Sequence, residues 1–201
     1  ALPVSASIGG AAMTVDEPPY PHGDMAALKA RIDRPIVLVG LMGVGKSSVG
    51  RRLAVALDLP FTDSDDAIEE EAQMTISDIF AKHGEQDFRD GERRVIGRLM
   101  EQGHGVIATG GGAFVNGETR ALILDKGIAV WLDADLDTLV ERVGRKSNRP
   151  LLQGGNPRDI LARLKTEREP AYAQAPIHVL SAPGPHQRTV NAILKAIDSW
   201  L

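Results

Sequence analysis

Ile36-Val37-Leu38-Val39-Gly40-Leu41-Met42-Gly43-Val44-Gly45-Lys46-Ser47 is the stretch on which the fold turns. Its first four residues form a continuous β-branched and apolar run, the pattern of a strand buried on both faces. The next eight satisfy G-x-x-x-x-G-K-[ST] in full. Beyond them, Val49, Leu53 and Leu57 recur at helical spacing, which predicts a helix from Lys46 to about Leu57 with a core-facing stripe. Strand, glycine-rich turn and helix in this order make a phosphate cradle: backbone N–H groups must close around the phosphate, and side chains at the glycines would obstruct them. The helix N-terminus adds unpaired donors and a favourable dipole. Lys46 is expected to bridge the β- and γ-phosphates and Ser47 to offer its hydroxyl to Mg²⁺. Gly43, Val44, Gly45 and Ser48 complete the expected nucleotide site. The bland alternative, a glycine turn with a solvated lysine, does not explain the strand before and the helix after.

Working outward, the chain alternates. Phe61-Thr62, Val106-Ile107-Ala108, Ile128–Leu132 and His178-Val179-Leu180 read as further strands. Segments 65–72, 76–83, 85–102, 117–125 and 186–200 read as helices, as do two stretches running from Asp135 to about Val143 and from Asn156-Pro157 to about Glu169. Thr75 and Asp78 make a capping-box pair. Strands alternating with helices require a mostly parallel sheet covered on both faces, an α/β fold. Upstream, residues 1–23 hold Pro3, Pro18, Pro19 and Pro21 without a sustained period and read as a flexible tail. Asp24 is placed to cap a short helix to about Arg34, with Met25, Leu28 and Ile32 on one side and Pro35 as its stop. The organisation expected is an N-terminal extension over 1–34 and one domain over 35–201, with a lid near 144–156 and an acceptor region near 63–93.

With 201 residues, 43% hydrophobic and 25% charged, the chain has the balance of a soluble globular domain. Its formal net charge of −4 offers no basic field for a nucleic-acid backbone. Arginines outnumber lysines 16 to 7, compatible with small anionic ligands because guanidinium forks match phosphate and carboxylate. There is no cysteine, which excludes disulfides and thiolate sites. No apolar run reaches the length of a membrane span, and the N-terminus lacks a secretory pattern, so a cytoplasmic protein without membrane or nucleic-acid partners is expected, with a monomer as the simplest state. The five histidines are scattered without ligand spacing.

Asp63-Ser64-Asp65 follows the second strand directly. If the chain stays extended, the two carboxylates face one crevice; one would hold Mg²⁺ and the other orient or deprotonate an acceptor hydroxyl. A helix N-cap cluster of Ser64, Asp65 and Asp66 is an equally good reading. A phosphate cradle alone does not separate kinase from switch, motor or helicase.

The run from Ile36 to the C-terminus resembles the shikimate kinase family. The likeness lies in separated elements in one order: Gly40–Ser47, Phe61–Asp65 with Ile68-Glu69, Gly84-Glu85 leading to Phe88-Arg89 and Glu92, Gly110-Gly111-Gly112-Ala113, Arg149-Pro150-Leu151-Leu152, and Arg168 with Tyr172. The resemblance implies a three-layer α/β/α fold, a five-stranded parallel sheet of order 2-3-1-4-5, and ATP-dependent phosphorylation of shikimate. It implies that Asp65 contacts the reacting hydroxyl and Asp63 stands near Mg²⁺. Arg89 and Arg168 would grip the acceptor carboxylate, with Glu92 orienting Arg89. Gly111, with Gly112 beside it, would offer its backbone to the acceptor. Arg149 would swing from the lid onto the transferring phosphoryl group, and Arg142 and Pro183 would border adenine. Two other functions stay open from the residues: a related kinase for another hydroxylated acid such as gluconate, and a non-catalytic ATP-sensing module.

Overall fold

The computed structural model describes residues 5–8, 11–14, 20–21, 24–144, 155–181 and 184–201. The centre of the sheet is β3 (Ile36–Val39), whose four side chains are fully buried. It pairs in parallel with β5 (Val106–Ala108) on one side and β6 (Ile128–Asp133) on the other, Ile36 standing opposite both Val106 and Ile128. β4 (Phe61–Asp63) adds to β5, and β7 (Ile177–Leu180) adds to β6. These five parallel strands have the spatial order β4-β5-β3-β6-β7, which is 2-3-1-4-5 when counted from β3.

The chain moves one way across the sheet from β3 to β4 and the other way in every later crossover. Right-handed crossovers therefore put the connecting helices on opposite faces. α2 (Lys46–Leu57) takes one face with α8 (His186–Trp200), which packs against it. α4 (Ile76–Glu101) and α5 (Gly117–Lys126) cover the other, with α3 (Ser64–Ala72) packed on α4. α6 (Leu136–Gly144) and α7 (Pro157–Tyr172) pair with each other before β7. The reversal of direction falls at β3, so a crevice opens beyond its carboxyl end. That end is the glycine-rich turn.

Local chemistry sets the helix boundaries. Thr75 Oγ1 accepts from the Asp78 N–H and donates back to Asp78 Oδ2. Asn116 Oδ1 accepts from the N–H groups of Glu118 and Thr119, and Asn156 Oδ1 from that of Arg158, with Pro157 at the first helical position. α4 joins the two helices predicted over 76–83 and 85–102 across a break at Gly84, whose φ is 82°. α7 runs three residues past the expected Glu169, through Pro170, because Tyr172 at its end is buried against the core.

Two expectations for the N-terminal segment are corrected. Residues 5–8 and 11–14 are strands, β1 (Ser5–Ile8) and β2 (Ala11–Thr14), rather than flexible tail. They form an antiparallel pair, and β1 lies antiparallel on β7 with Ser7 opposite His178. The physical reason is the open edge of β7, a row of backbone donors and acceptors that a further strand satisfies. α1 (Met25–Arg31) ends before Arg34, and Asp24 precedes it without a side-chain cap. Its Leu28, together with Ile32 and Tyr20, belongs to the main core.

That core is continuous from α1 through the sheet to α8. A second, smaller cluster of Ile68, Ile79, Phe88 and Val95 lies between α3 and the two halves of α4, with Phe80 against it. Among the described residues no helix is long and apolar enough to cross a membrane.

Candidate active site

A cleft of about 1130 Å³ lies beyond the carboxyl ends of the strands and takes in both the glycine-rich turn and the acidic segment after β4. At its floor, Gly45 precedes α2 with φ 99°, a left-handed conformation that a side chain would strain. The Lys46 ammonium is almost fully buried and donates to the carbonyls of Gly40 (2.7 Å) and Leu41 (3.0 Å). Ser47 Oγ donates to Asp63 Oδ2 at 2.5 Å.

The cap of α3 falls to Asp63 rather than to Ser64, Asp65 or Asp66. Asp63 Oδ1 accepts the Asp65 N–H at 3.1 Å, while Asp63 Oδ2 meets Ser47 across the cleft. Asp65 does not continue the extended strand from Asp63 but sits in the first turn of α3. Its carboxyl still reaches the cleft and lies against Gly110, where an added Cβ would stand 2.7 Å from Oδ1. Burial, with the nearby charges of Asp63 and Glu92, pushes the Asp65 carboxyl up to about 6, and Lys46 opposes the shift. A carboxylate with that affinity can take a proton near neutral pH.

The other wall carries two arginines from different helices. Arg89 on α4 donates to Glu92 Oε2 at 2.6 Å, and Glu85 stands 3.6 Å from its second nitrogen. Glu92 itself is 1% exposed and lies behind Arg89 rather than in the cleft. Burial raises its proton affinity and the Arg89 charge opposes that. The glycine run Gly110–Gly112 passes directly beneath: a Cβ on Gly112 would lie 2.3 Å from Arg89 Nη2, so a side chain there would displace the guanidinium. Arg168 on α7 comes to the same run, its Nη1 3.4 Å from a Cβ built on Gly111. Arg89, Arg168 and Gly111 all line the cleft; Gly112 and Val44 stand just outside its surface.

At the opposite end Arg142 on α6 donates to the Val44 carbonyl (2.8 Å) and Ser181 Oγ (3.2 Å), tying it to the turn backbone. Gly43, Gly45, Ser48 and Gly184 face the same space. Arg149, Pro183 and most of the expected lid fall outside the described residues. His186 opens α8 and lines this end of the cleft. Burial and the charges of Arg52 and Arg142 hold its imidazole below the usual range. Phe80 on α4 is a further wall residue that sequence reasoning missed; its helical spacing marked it only as apolar.

One cleft thus joins a phosphate cradle, a carboxyl with raised proton affinity and two converging guanidinium groups. This is the architecture of a P-loop kinase acting on a small acceptor. A family model described as shikimate kinase matches residues 42–198. The shikimate kinase of Novosphingobium aromaticivorans is 65% identical over 175 residues, covering 85% of this chain and 91% of that protein. The solved shikimate kinase from Acinetobacter baumannii in complex with shikimate superposes with a TM-score of 0.79 at 37% identity, covering 87% of this chain and 97% of that one. The chain belongs to the shikimate kinase family. A gluconokinase from Sinorhizobium meliloti shares the fold, with a TM-score of 0.59 at 20% identity over 85% of this chain and 94% of that one.

Proposed function

We propose that this chain transfers the γ-phosphoryl group of ATP to the 3-hydroxyl of shikimate, giving ADP and 3-phosphoshikimate. The observation that carries the acceptor half is the convergence of Arg89 and Arg168 on the glycine run beside Asp65. Two guanidinium forks from separate helices suit one carboxylate, and charge-assisted hydrogen bonds are the strong ones. With the carboxylate held there, the hydroxyl of a small ring lies between Asp65 and the phosphate cradle.

Transfer of this kind needs positioning and charge stabilisation more than covalent chemistry from the protein. The acceptor oxygen forms a bond to the γ-phosphorus while the bond from that phosphorus to the β,γ-bridging oxygen breaks. Asp65 takes the hydroxyl proton, and ADP carries away the bridging oxygen. Lys46 offsets charge along the β- and γ-phosphates, exchanging its carbonyl partners for phosphate oxygens. In this reading Arg149 reaches the transferring group from the lid, and Arg142 with Pro183 borders the base.

Ser47 and Asp63 place a hydroxyl and a carboxylate oxygen 2.5 Å apart at the start of α2, a hard-oxygen pair that fits Mg²⁺ arriving with the nucleotide. When bound, Mg²⁺ supplies charge neutralisation on the phosphates.

The test is ADP release with Mg-ATP in the presence of shikimate, of gluconate, or of no acceptor. Shikimate-dependent turnover is expected. Turnover with gluconate alone, or hydrolysis indifferent to acceptor, would overturn the assignment.

A further inference from the structure

We propose that Lys165 and Tyr172 are positioning residues that fix Arg168 over the glycine run. Resting on the acceptor reading above, the inference adds two side chains that do not themselves line the cleft. Lys165, Arg168 and Tyr172 follow one another at i, i+3 and i+7 on α7, so they share a face of the helix. That face is tied down on both sides of Arg168.

On the N-terminal side, Lys165 Nζ donates to the Ala134 carbonyl at 3.1 Å and pairs with Asp133 at the end of β6. Asp133 is itself held: its Oδ1 accepts the Ala134 N–H at 2.8 Å. Its Oδ2 stands 3.4 Å from His178 Nε2, and the His178 ring stacks on Trp131 with centroids 3.8 Å apart. Burial raises the Asp133 carboxyl's proton affinity, but the contacts with His178 and Lys165 outweigh it and hold the group ionised below its usual range. The Lys165 charge is therefore committed to β6 and does not compete with Arg168 for an acceptor.

On the C-terminal side, Tyr172 is 2% exposed and its phenol donates to the Gly111 carbonyl. Tyr172 thus sets two things at once: the end of α7, and the orientation of the peptide group that follows Gly111. Arg168 lies between these anchors, with the strand end fixing one and the glycine run fixing the other. A guanidinium on a flexible stem is a precise ligand only if its Cα is fixed, because a 1 Å misplacement costs roughly 10²-fold in such sites.

The test uses the full chain carrying Tyr172→Phe or Lys165→Met, and measures KM for shikimate, KM for ATP and kcat. Each variant is expected to raise the shikimate KM about tenfold while the ATP KM stays within about twofold. Lys165→Arg, which keeps charge and reach, restores the parent value. With a shikimate analogue bearing a carboxamide in place of the carboxylate, parent and variants converge, since the loss acts through Arg168. Equal losses with shikimate and carboxamide would mean a general structural defect and would overturn the proposal, as would an unmoved shikimate KM. Arg168→Ala separates the two levels. If it leaves the shikimate KM unchanged, the acceptor reading itself fails; if it raises that KM and neither anchor variant does, only the positioning role falls.

Discussion

Gly112→Ala puts one methyl group where the structure has no room for it. Its Cβ would lie 2.3 Å from Arg89 Nη2 and 2.7 Å from both Cζ and Nη1. Ordinary contact requires the guanidinium to retreat by about 1 Å, and a shift of that size matters in a reacting site. Arg89 cannot make this move freely, because its Nη1 is held at 2.6 Å by Glu92, which is buried and cannot follow. The guanidinium therefore gives up part of its alignment with the acceptor carboxylate. A hydrogen bond to a charged group contributes about 1.5–3 kcal/mol, so the shikimate KM should rise between about 10- and 150-fold. The ATP KM should stay within about twofold, since the three atoms nearest the added methyl all belong to Arg89; that selectivity, rather than the loss alone, tests the reasoning. Steady-state ADP release across both substrate ranges, with thermal unfolding as the control on folding, reads both effects. A shikimate KM within twofold of the parent in a variant that melts normally would refute the placement of Arg89 as an acceptor ligand.

Further outcomes follow from other parts of the molecule. With burial pushing the Asp65 carboxyl up to about 6, kcat/KM for shikimate should fall as pH drops through that value, because the proton it must accept is already bound. Asp65→Asn should lower kcat by roughly 10²–10⁴-fold across the range and remove that acid limb, and a limb that persists in the variant would assign the titration elsewhere. Lys46→Met should cost roughly 10²–10³-fold in kcat through lost charge stabilisation, with a far smaller change in shikimate binding by equilibrium dialysis. Leu28→Ala on α1 should cost about 2–5 kcal/mol in urea unfolding, because Leu28 is 1% exposed within the main core; a cost under 1 kcal/mol would show that the segment before β3 is dispensable.

The parts of the fold that could be read from sequence were those specified by neighbours in the chain. β3, the glycine-rich turn and α2 are one local unit with a strong motif, and the caps at Thr75 and Asn156 are satisfied within three residues. The cap of α3 was not legible, because Ser64, Asp65 and Asp66 carry the right chemistry one to three residues later, while it is Asp63, extended at the strand end, whose Oδ1 reaches the Asp65 N–H. Interactions across long separations left little trace. Tyr172 meets Gly111 from 61 residues away, and its spacing on α7 says only that it is buried. β1 and β2 are short and rich in Ala and Ser, without the β-branched density that marks the central strands; β1 pairs with the edge of β7, and β2 with β1. His186 stands at the start of the helix predicted over 186–200, yet nothing near it in the chain announces that α8 begins at a cleft.

The small cluster of Ile68, Ile79, Phe88 and Val95 stands apart from the main core, yet it backs the wall that carries Phe80 and Arg89. The molecule is in that respect modular. On the proposed function, repacking a handful of side chains between α3 and α4 would reshape the chamber for the acceptor, while the sheet, the cradle and its lysine rest on a different set of contacts. A scaffold partitioned in this way can change what it phosphorylates without relearning how, and acceptor preference becomes the more evolvable of its two specificities.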